Sequence, residues 1–441
     1  MFDRKQLRAL IIPLIIEQFL AMAVGAADTV MVASCGETAV SAVSLVDSIN
    51  ILLINIFSAL ATGGAVVASQ YIGRQDVKTA RTSAKQLLYT VTLLSLLVTS
   101  AALLFRRPML SGIFGSIEPA IMENALTYFW LSAISYPFLG VYNSGAALFR
   151  SMGNSKISMQ VSLIMNLVNI CGNAILIYGF QLGVAGAAIA SLISRALAAV
   201  IVLVLLRNPH HILCIQELFK VHFDFSIIRA ILRVGVPGGL ENGIFQIGKI
   251  MVASLVASFG TAATAANAVG NTLCGIVIIP GSAIGLAMIT VVGQCVGAGD
   301  YKQARHYTML LLKLTYLAML ITNVTILLLS GQLAGLFSLT PETAAIVRQL
   351  ILFHNLMAIV FWPPAFALPN ALRAAGDAKF TMVASLVAMW ACRIGLSFLL
   401  GKTFGLGVLG VWIAMTLDWV VRAALFIWRY RGSRWEQQRV I

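Results

Sequence analysis

Charged side chains are scarce in this sequence. Asp, Glu, Lys and Arg together account for 10% of the 441 residues, whereas hydrophobic residues account for 59%. Soluble domains carry roughly 25% charged residues, so this composition excludes an ordinary soluble protein. Acidic residues are the scarcer of the two signs, with 16 Asp and Glu against 30 Lys and Arg. Each carboxylate that lies inside an apolar run therefore needs a physical reason.

Motifs of nucleotide chemistry, hydrolysis and zinc catalysis are absent as well. The sequence has no phosphate-binding loop, nucleophile elbow or zincin motif, so an ATP-driven pump or a hydrolase has no support. We therefore expect no enzyme activity and no cofactor. The six cysteines form no CxxC pair and lie mostly within apolar runs, which is typical of small core residues.

Long apolar runs are abundant instead. A run of about 20 residues is long enough to cross a bilayer, and twelve such runs recur along the chain. Backbone polar groups in lipid must be bonded within the segment, so each run is predicted to be a helix. The predicted spans are 9–33, 41–69, 86–105, 121–148, 157–178, 183–206, 231–258, 264–294, 306–330, 343–370, 380–401 and 406–430. The sequence thus predicts an all-α polytopic membrane protein with twelve transmembrane helices.

Basic residues cluster at both ends of the chain and in alternate loops, and the intervening loops are nearly bare. This positive-inside pattern places both termini in the cytoplasm and predicts a multi-pass protein of the plasma (inner) membrane. It also accounts for the net charge of +14 without nucleic acid as a partner. The expected partners are the lipid bilayer and small molecules, and we expect a monomer.

The chain contains an internal duplication. VASQYIGRQDVKTAR (67–81) and VVGQCVGAGDYKQAR (291–305) are identical at seven of fifteen positions, at an offset of 224. The same offset pairs Pro13 with Pro237 and Glu17 with Glu241, and an offset of 223 pairs Arg150 with Arg373. We therefore predict two six-helix bundles, residues 1–215 and 216–441, related by a pseudo-twofold axis along the membrane normal. Two such bundles suit alternating access.

Four polar positions of the first half are mostly lost in the second. At the offset of 224, Asp28 aligns with Val252, Asn169 with Arg393, Asn173 with Ser397 and Ser191 with Met415. A charged residue at mid-membrane costs about 2.5–3.5 kcal/mol on insertion scales, and such residues are functional by default. Amide and hydroxyl oxygens beside a carboxylate could ligate a hard cation or hydrogen-bond the protonated acid. The alternative is a packing network in which Asn and Ser join helices.

Further stretches resemble the multidrug and toxic compound extrusion (MATE) family, and the similarity covers essentially the whole chain. The matching residues are Pro13-x-x-x-Glu17-Gln18, Asp28 to Val32, Gly73 to Arg81, Phe149 to Asn154, Asn169 to Gly179, Trp362-Pro363-Pro364, Leu372 to Asp377 and Gly407 to Trp412. The resemblance implies two six-helix bundles that form a V around a central cavity, with efflux of drugs in exchange for Na⁺ or H⁺. It also implies a cation site, here a possible Na⁺ site, at Asp28, Asn169, Asn173 and Ser191, where the family usually has Thr at the last position. Pro13 matches a proline at which the first helix bends.

Several charged residues keep open roles. Glu17 and Glu241 each follow a proline by one turn. They either share a structural task, such as bonding the backbone that proline frees, or act in gating or proton transfer. Asp47 lies in the outer half of the second span and is a candidate cavity-facing or gating residue. Lys249 either lines the cavity or extends toward the membrane surface.

The second half departs from those family branches that also couple there. Phe245 and Trp362 stand approximately where some branches have acids in the seventh and tenth spans, and Arg393 adds positive charge. We therefore expect no coupling through the second half. Arg393 and Asp418 lie in neighbouring spans and are expected to form a structural ion pair, since charges within a membrane usually pair.

The leading interpretation is a secondary antiporter that exports organic cations or amphiphilic drugs in exchange for Na⁺ or H⁺, with coupling through Asp28. A lipid-linked precursor flippase of the same superfamily is the alternative, although such flippases tend to carry more cavity cations and extra helices. An ion channel is less favoured, because the duplicated architecture fits a carrier and no loop resembles a selectivity filter. The sequence names neither the substrate nor the coupling ion, since an Asp with amide neighbours can serve Na⁺ or H⁺.

Overall fold

The computed structural model describes residues 2–115, 118–218, 220–335, 337, 339–438 and 440–441, and these fold into helices joined by turns and loops. The first half contains α1 (Arg4–Ala33), α2 (Glu37–Gly73), α3 (Val77–Phe114), α4 (Pro119–Ser151), α5 (Ser155–Asn173) and α6 (Gly183–Leu206). The second half contains α7 (Phe225–Ala257), α8 (Thr261–Val277), α9 (Ile279–Gly297), α10 (Tyr301–Gly335), α11 (Pro341–Trp362), α12 (Leu368–Ala374), α13 (Ala378–Ala388) and α14 (Gly407–Arg431). Segments of π-helix extend α5 (Ala174–Gly179), join α11 to α12 (Pro363–Ala367) and extend α13 (Met389–Leu396 and Phe398–Thr403).

The helices of the second half repeat those of the first at the predicted offset. α2 begins at Glu37 and ends at Gly73, and its counterparts α8 and α9 begin at Thr261 and end at Gly297, 224 positions later at both ends. α6 and α14 begin 224 positions apart as well. The predicted all-α fold, built from a repeated six-span unit, is confirmed.

The transmembrane spans follow the predicted apolar runs. Eleven stretches of the described residues are long and apolar enough to cross a membrane. They overlap every predicted span except the fourth, where the helix α4 is 33 residues long, and they include only the second part of the predicted span 264–294. Observed helices extend past the runs, as in α2 (Glu37–Gly73) against the predicted 41–69, because polar residues at the ends of a run continue the helix outside its apolar core.

Contacts divide the described residues into two compact units, the N-terminal unit Phe2–Gly239 and the C-terminal unit Leu240–Val440. The division falls inside α7, so the first part of α7 belongs to the N-terminal unit. There α2 and α7 meet backbone to backbone, since a Cβ at Gly63 would lie 2.6 Å from the carbonyl oxygen of Ile231. Small residues permit such close helix approach. The boundary between residues 215 and 216 rests on the sequence repeat and stays a prediction.

The second span of the C-terminal unit is broken where its counterpart is continuous. α8 ends at Val277 and α9 begins at Ile279, with Pro280 in the first turn of α9. Proline has no backbone N–H and clashes with the preceding turn, so a continuous helix is interrupted there. The apolar run 264–294, predicted as one helix, is therefore two helices in line.

The fifth spans of the two halves differ in length by one residue. Lys156 and Leu182 are 26 positions apart, whereas their counterparts Lys379 and Leu406 are 27 positions apart. The C-terminal unit has π-helix at Met389–Leu396, where the corresponding part of α5 is α-helical. A π turn is a wider turn within an α-helix, and it accommodates the additional residue.

Candidate functional site

Three helices of the N-terminal unit bring the four predicted cation-site residues together. Asp28 lies on α1, Asn169 and Asn173 lie on α5, and Ser191 lies on α6. The Asn173 Nδ2 donates a hydrogen bond of 2.7 Å to the Asp28 Oδ1. The Asn169 side-chain amide and the Ser191 Oγ are hydrogen-bonded at 3.0 Å. The site is thus a chain of polar groups that joins all three helices.

One oxygen of this site has no partner. Asn173 is 1% exposed, and within the described part of the chain its Oδ1 accepts no hydrogen bond. A buried polar atom without a partner costs about 1–3 kcal/mol, so such atoms need an explanation. This oxygen belongs to the amide whose nitrogen bonds to Asp28, and amide oxygens and carboxylates are ligands that hard cations take. The residues present therefore fit a bound cation.

The Asn169 amide can face Asp28 in two ways. Its terminal atom on that side lies 2.8 Å from Oδ1 and 3.1 Å from Oδ2 of Asp28. When this atom is the nitrogen, it donates to the carboxylate, and the oxygen accepts from the Ser191 Oγ at 3.0 Å. When it is the oxygen, two acceptors face each other, so the orientation with the nitrogen toward Asp28 is the one that satisfies both groups, and Asn169 then joins Asp28 to Ser191.

Asp47 heads a second polar network in the N-terminal unit, between α2 and α4. Its Oδ1 accepts hydrogen bonds from the Asn50 Nδ2 at 3.0 Å and the Tyr128 hydroxyl at 3.2 Å. The Tyr136 hydroxyl donates to the Asn50 Oδ1 at 2.8 Å. Asp47 is therefore held on the side of α2 that faces α4, and its charge also acts on Asp28.

Arg195 is a charged residue of α6 that the sequence analysis did not single out. It donates to the Ser135 Oγ at 2.7 Å, and its charge acts on both Asp28 and Asp47. Its counterpart in the second half is Trp419. The sequence signal for Arg195 was a basic residue within an apolar span that has no basic counterpart in the second half. Such intramembrane charges mark functional sites.

Pro13 lies on α1 and leaves the backbone carbonyl of Ala9 without its helix donor. The Ser155 Oγ, at the start of α5, bonds to the carbonyl oxygen of Leu10 at 2.5 Å and to that of Ala9 at 3.2 Å. Proline cannot donate to the residue four positions earlier, and Ala9 is that residue. A serine of α5 thus bonds the backbone that Pro13 frees, a task that the sequence suggested for Glu17.

The two repeated glutamates pair with the two repeated arginines. Glu17 contacts the Arg150 Nη1 at 3.3 Å and accepts a hydrogen bond of 2.8 Å from the Ser158 Oγ. Both carboxylate oxygens of Glu241 accept from the Arg373 Nη2, at 2.9 and 2.8 Å. Glu17 and Glu241 are 6% and 7% exposed. The sequence signal for these pairs was that a glutamate and an arginine both recur at matched positions of the two halves.

The corresponding positions of the C-terminal unit do not form a cation site. Val252 replaces the carboxylate, Arg393 replaces Asn169, and the Ser397 hydroxyl bonds to the carbonyl oxygen of Arg393 in its own helix. The expected pair of Arg393 with Asp418 is present, with 3.6 Å between the Arg393 Nε and the Asp418 Oδ2.

Comparisons with known proteins agree with this architecture. The MatE family model matches residues 13–175 and again residues 237–399. The uncharacterized transporter YisQ of Bacillus subtilis is 28% identical over 97% of this chain and 94% of its own length. The probable multidrug resistance protein NorM of Thermotoga maritima is 26% identical over 99% of this chain and 94% of its own. A solved outward-facing conformation of a multidrug resistance MATE family transporter superposes with a TM-score of 0.92 at 21% identity, covering 98% of this chain and 97% of that one.

Proposed function

The chain belongs to the MatE family, and we propose that it is a secondary antiporter that exports organic cations or amphiphilic drugs in exchange for Na⁺ or H⁺. Relatives named as multidrug resistance proteins align along nearly the whole chain, which supports drug efflux. The observation that carries ion coupling is the unpartnered Oδ1 of Asn173 beside Asp28. One carboxylate surrounded by neutral oxygens suits an ion of single positive charge.

The orientation and setting of the protein belong to the same proposal. The distribution of Lys and Arg supports cytoplasmic termini and a place in the inner membrane. The chain acts as a monomer in this proposal, because both halves of the transport unit lie in one polypeptide. The lipid-linked precursor flippase is not favoured, since the relatives that align along the chain are named for multidrug resistance.

The ion acts through the packing of α1 in this proposal. Asp28 and Pro13 lie on the same helix, and Asp28 is bonded to α5. Loading Asp28 with a cation or a proton changes the bonds that join α1 to α5 and α6. A ligand shifts such an equilibrium only by its different affinity for the two shapes. Ion and drug therefore weaken each other reciprocally.

Transport in proteoliposomes tests the proposed function. The purified chain is reconstituted, and efflux of a fluorescent organic cation is measured under a Na⁺ gradient alone, a pH gradient alone and no gradient. We expect one gradient to accelerate efflux above the rate without a gradient. Equal rates in all three conditions would contradict ion-coupled export.

Asn173 and its counterpart Ser397 give a matched pair of variants. Asn173→Ala removes an oxygen beside Asp28 and is expected to weaken the apparent affinity for the coupling ion about tenfold, as loss of one ligand group costs about 1–2 kcal/mol. Ser397→Ala removes a hydroxyl that bonds within its own helix and is expected to leave the affinity unchanged. The measurement is efflux rate against ion concentration. Equal loss in both variants would show that the asymmetry of the halves has no bearing on coupling.

A further inference from the structure

The C-terminal unit carries positive charge where the N-terminal unit carries the cation site. At the offset of 224, Arg393 occupies the position of Asn169, and Val252 that of Asp28. Lys249 lies on α7, one turn before Val252. The repeat therefore places basic groups at the site that corresponds to a carboxylate and its amides.

One acid serves two arginines in this region. The Asp418 Oδ1 accepts a hydrogen bond of 2.8 Å from the Arg422 Nε, and Arg422 also donates to the carbonyl oxygen of Ser385 at 3.1 Å. The longer contact of 3.6 Å joins the other carboxylate oxygen to Arg393. Within the described part of the chain, the Arg393 Nε and the Asp418 Oδ2 make no hydrogen bond. The carboxylate is thus satisfied chiefly by Arg422, and Arg393 is only partly compensated.

Aromatic rings fill the remaining space around the guanidinium groups. The Arg393 guanidinium lies 5.0 Å from the centre of the Phe245 ring, and Arg422 lies 5.6 Å from the same ring. Arg422 also lies 5.4 Å from the Phe366 ring. A ring face stabilises a cation but does not neutralise it. The positive charge of this region therefore stays in place.

Lys249 adds a further positive charge on α7. Its side chain is exposed, and the charge of Arg393 acts on it. Among the described residues, no carboxylate forms an ion pair with Lys249. Three basic residues, Lys249, Arg393 and Arg422, share one acidic residue, Asp418. Counted by residue type, this leaves an excess of two positive charges. An uncompensated charge in a membrane-spanning region is costly, and such charges normally pair.

We propose that Lys249 and Arg393, with Arg422 and Asp418 behind them, form an anion site that binds the acidic group of an amphiphilic substrate. A carboxylate or phosphate would pair with the exposed Lys249 ammonium and would be attracted by the partly compensated charge of Arg393. This assignment depends on the proposed function in one respect, because it takes the ligand of the anion site to be the exported molecule. It adds a preference, among the amphiphilic substrates of that proposal, for molecules that carry an acidic group.

The two units then differ in the charge that each binds. The N-terminal unit holds Asp28, which accepts a hydrogen bond from the Asn173 amide. The C-terminal unit holds the basic cluster at the equivalent position. A coupling cation and an acidic substrate group are therefore held in separate bundles, each by groups of opposite charge.

Binding of a matched acid and ester tests the anion site. The full chain is placed in nanodiscs of phosphatidylcholine, and binding of a dansyl-labelled medium-chain fatty acid is compared with binding of its methyl ester. We expect the acid to bind about tenfold more tightly, since a charge-assisted hydrogen bond is worth about 1.5–3 kcal/mol. Equal affinities of acid and ester in the parent protein overturn the proposal.

Variants locate the preference within the chain. Lys249→Gln and Arg393→Gln are each expected to remove most of the acid preference, and Lys249→Gln keeps the test valid if Arg393→Gln fails to fold, because Lys249 is exposed. Lys402→Gln changes another exposed lysine of the same unit and is expected to leave the preference intact. A preference that survives Lys249→Gln, or that falls equally in Lys402→Gln, overturns the assignment.

Two further measurements complete the test. One distinguishes a substrate anion from a lipid head group, and the other distinguishes the anion site from the proposed function. In nanodiscs that contain anionic phosphatidylglycerol, the acid preference is expected to persist; its disappearance would assign the site to a lipid head group and overturn the substrate assignment. Asp28→Asn is expected to keep the acid preference, because Asp28 lies in the other unit. Failure of ion-driven efflux with an intact acid preference would thus count against the proposed function alone.

Discussion

Replacing Asp28 with Asn is expected to abolish ion-driven efflux while leaving insertion into the membrane intact. Asn keeps the shape of the side chain and removes the charge that a cation or a proton neutralises. The hydrogen bond from the Asn173 Nδ2, 2.7 Å in the parent, can still be made to an amide oxygen, so α1 stays joined to α5. We expect gradient-driven efflux from proteoliposomes to fall to the rate of protein-free vesicles.

Asp76 provides a matched carboxylate outside the membrane-spanning helices. It precedes α3 and accepts a hydrogen bond of 3.0 Å from the Thr79 backbone N–H. Hydrogen bonds from the Thr79 side chain and backbone hold the pKa of Asp76 below its usual value, so it is ionised at neutral pH. Asp76→Asn is expected to retain ion-driven efflux. Efflux at the parental rate in a well-inserted Asp28→Asn protein would mean that Asp28 has a packing role and no coupling role.

Replacing Asp418 with Asn is expected to destabilise the C-terminal unit strongly. Asp418 is 0% exposed and is the acid that both Arg393 and Arg422 contact. Removing one partner of a buried ion pair costs about 3–5 kcal/mol, because the other charge is left uncompensated. Here two guanidinium groups lose their carboxylate, so the free energy of unfolding should fall by at least the lower end of that range.

Thiol labelling can follow this unfolding, since the side chains of Cys274 and Cys295 are buried in the same unit. Heating the detergent-solubilised protein with a thiol-reactive fluorophore gives Tm, which we expect to be clearly lower in Asp418→Asn. Glu217→Gln is the control, because Glu217 pairs with Lys220 on the surface at 2.6 Å with both side chains exposed, and its Tm should match the parent. An unchanged Tm in Asp418→Asn would mean that Arg393 and Arg422 need no buried counter-charge.

The fold could be predicted from features that are visible in the sequence itself. Run length gives the spans, and the offset of 224 gives the repeat, because each helix must satisfy its own backbone in lipid. The hydropathy pattern does not show the break before Pro280, since the apolar run 264–294 continues through it. Hydropathy reports the medium around a helix, whereas the break depends on one backbone N–H that proline lacks.

The candidate site could be predicted in its members but not in its bonding. Asp28 and Asn173 were selected because the second half lacks them, and they are 2.7 Å apart. Arg195 was missed, since its charge acts on Asp28 from another helix and no spacing rule connects α1 with α6. The two orientations of the Asn169 amide depend on distances of 2.8 and 3.1 Å, and a sequence carries no such information.

The π segment Met389–Leu396 has a consequence for how such transporters can diverge. One residue added to an ideal α-helix turns every later side chain by about 100° and moves it by about 1.5 Å. Here the wider turn absorbs the insertion, and the following segment Phe398–Thr403 again matches Ala174–Gly179 at the offset of 224. A gene can therefore gain a codon inside a transmembrane span without disturbing either end of it. An alignment that moves this gap into a loop would set Arg393 against Ile170 and conceal that the second half has a positive charge where the first half has an amide of the candidate cation site.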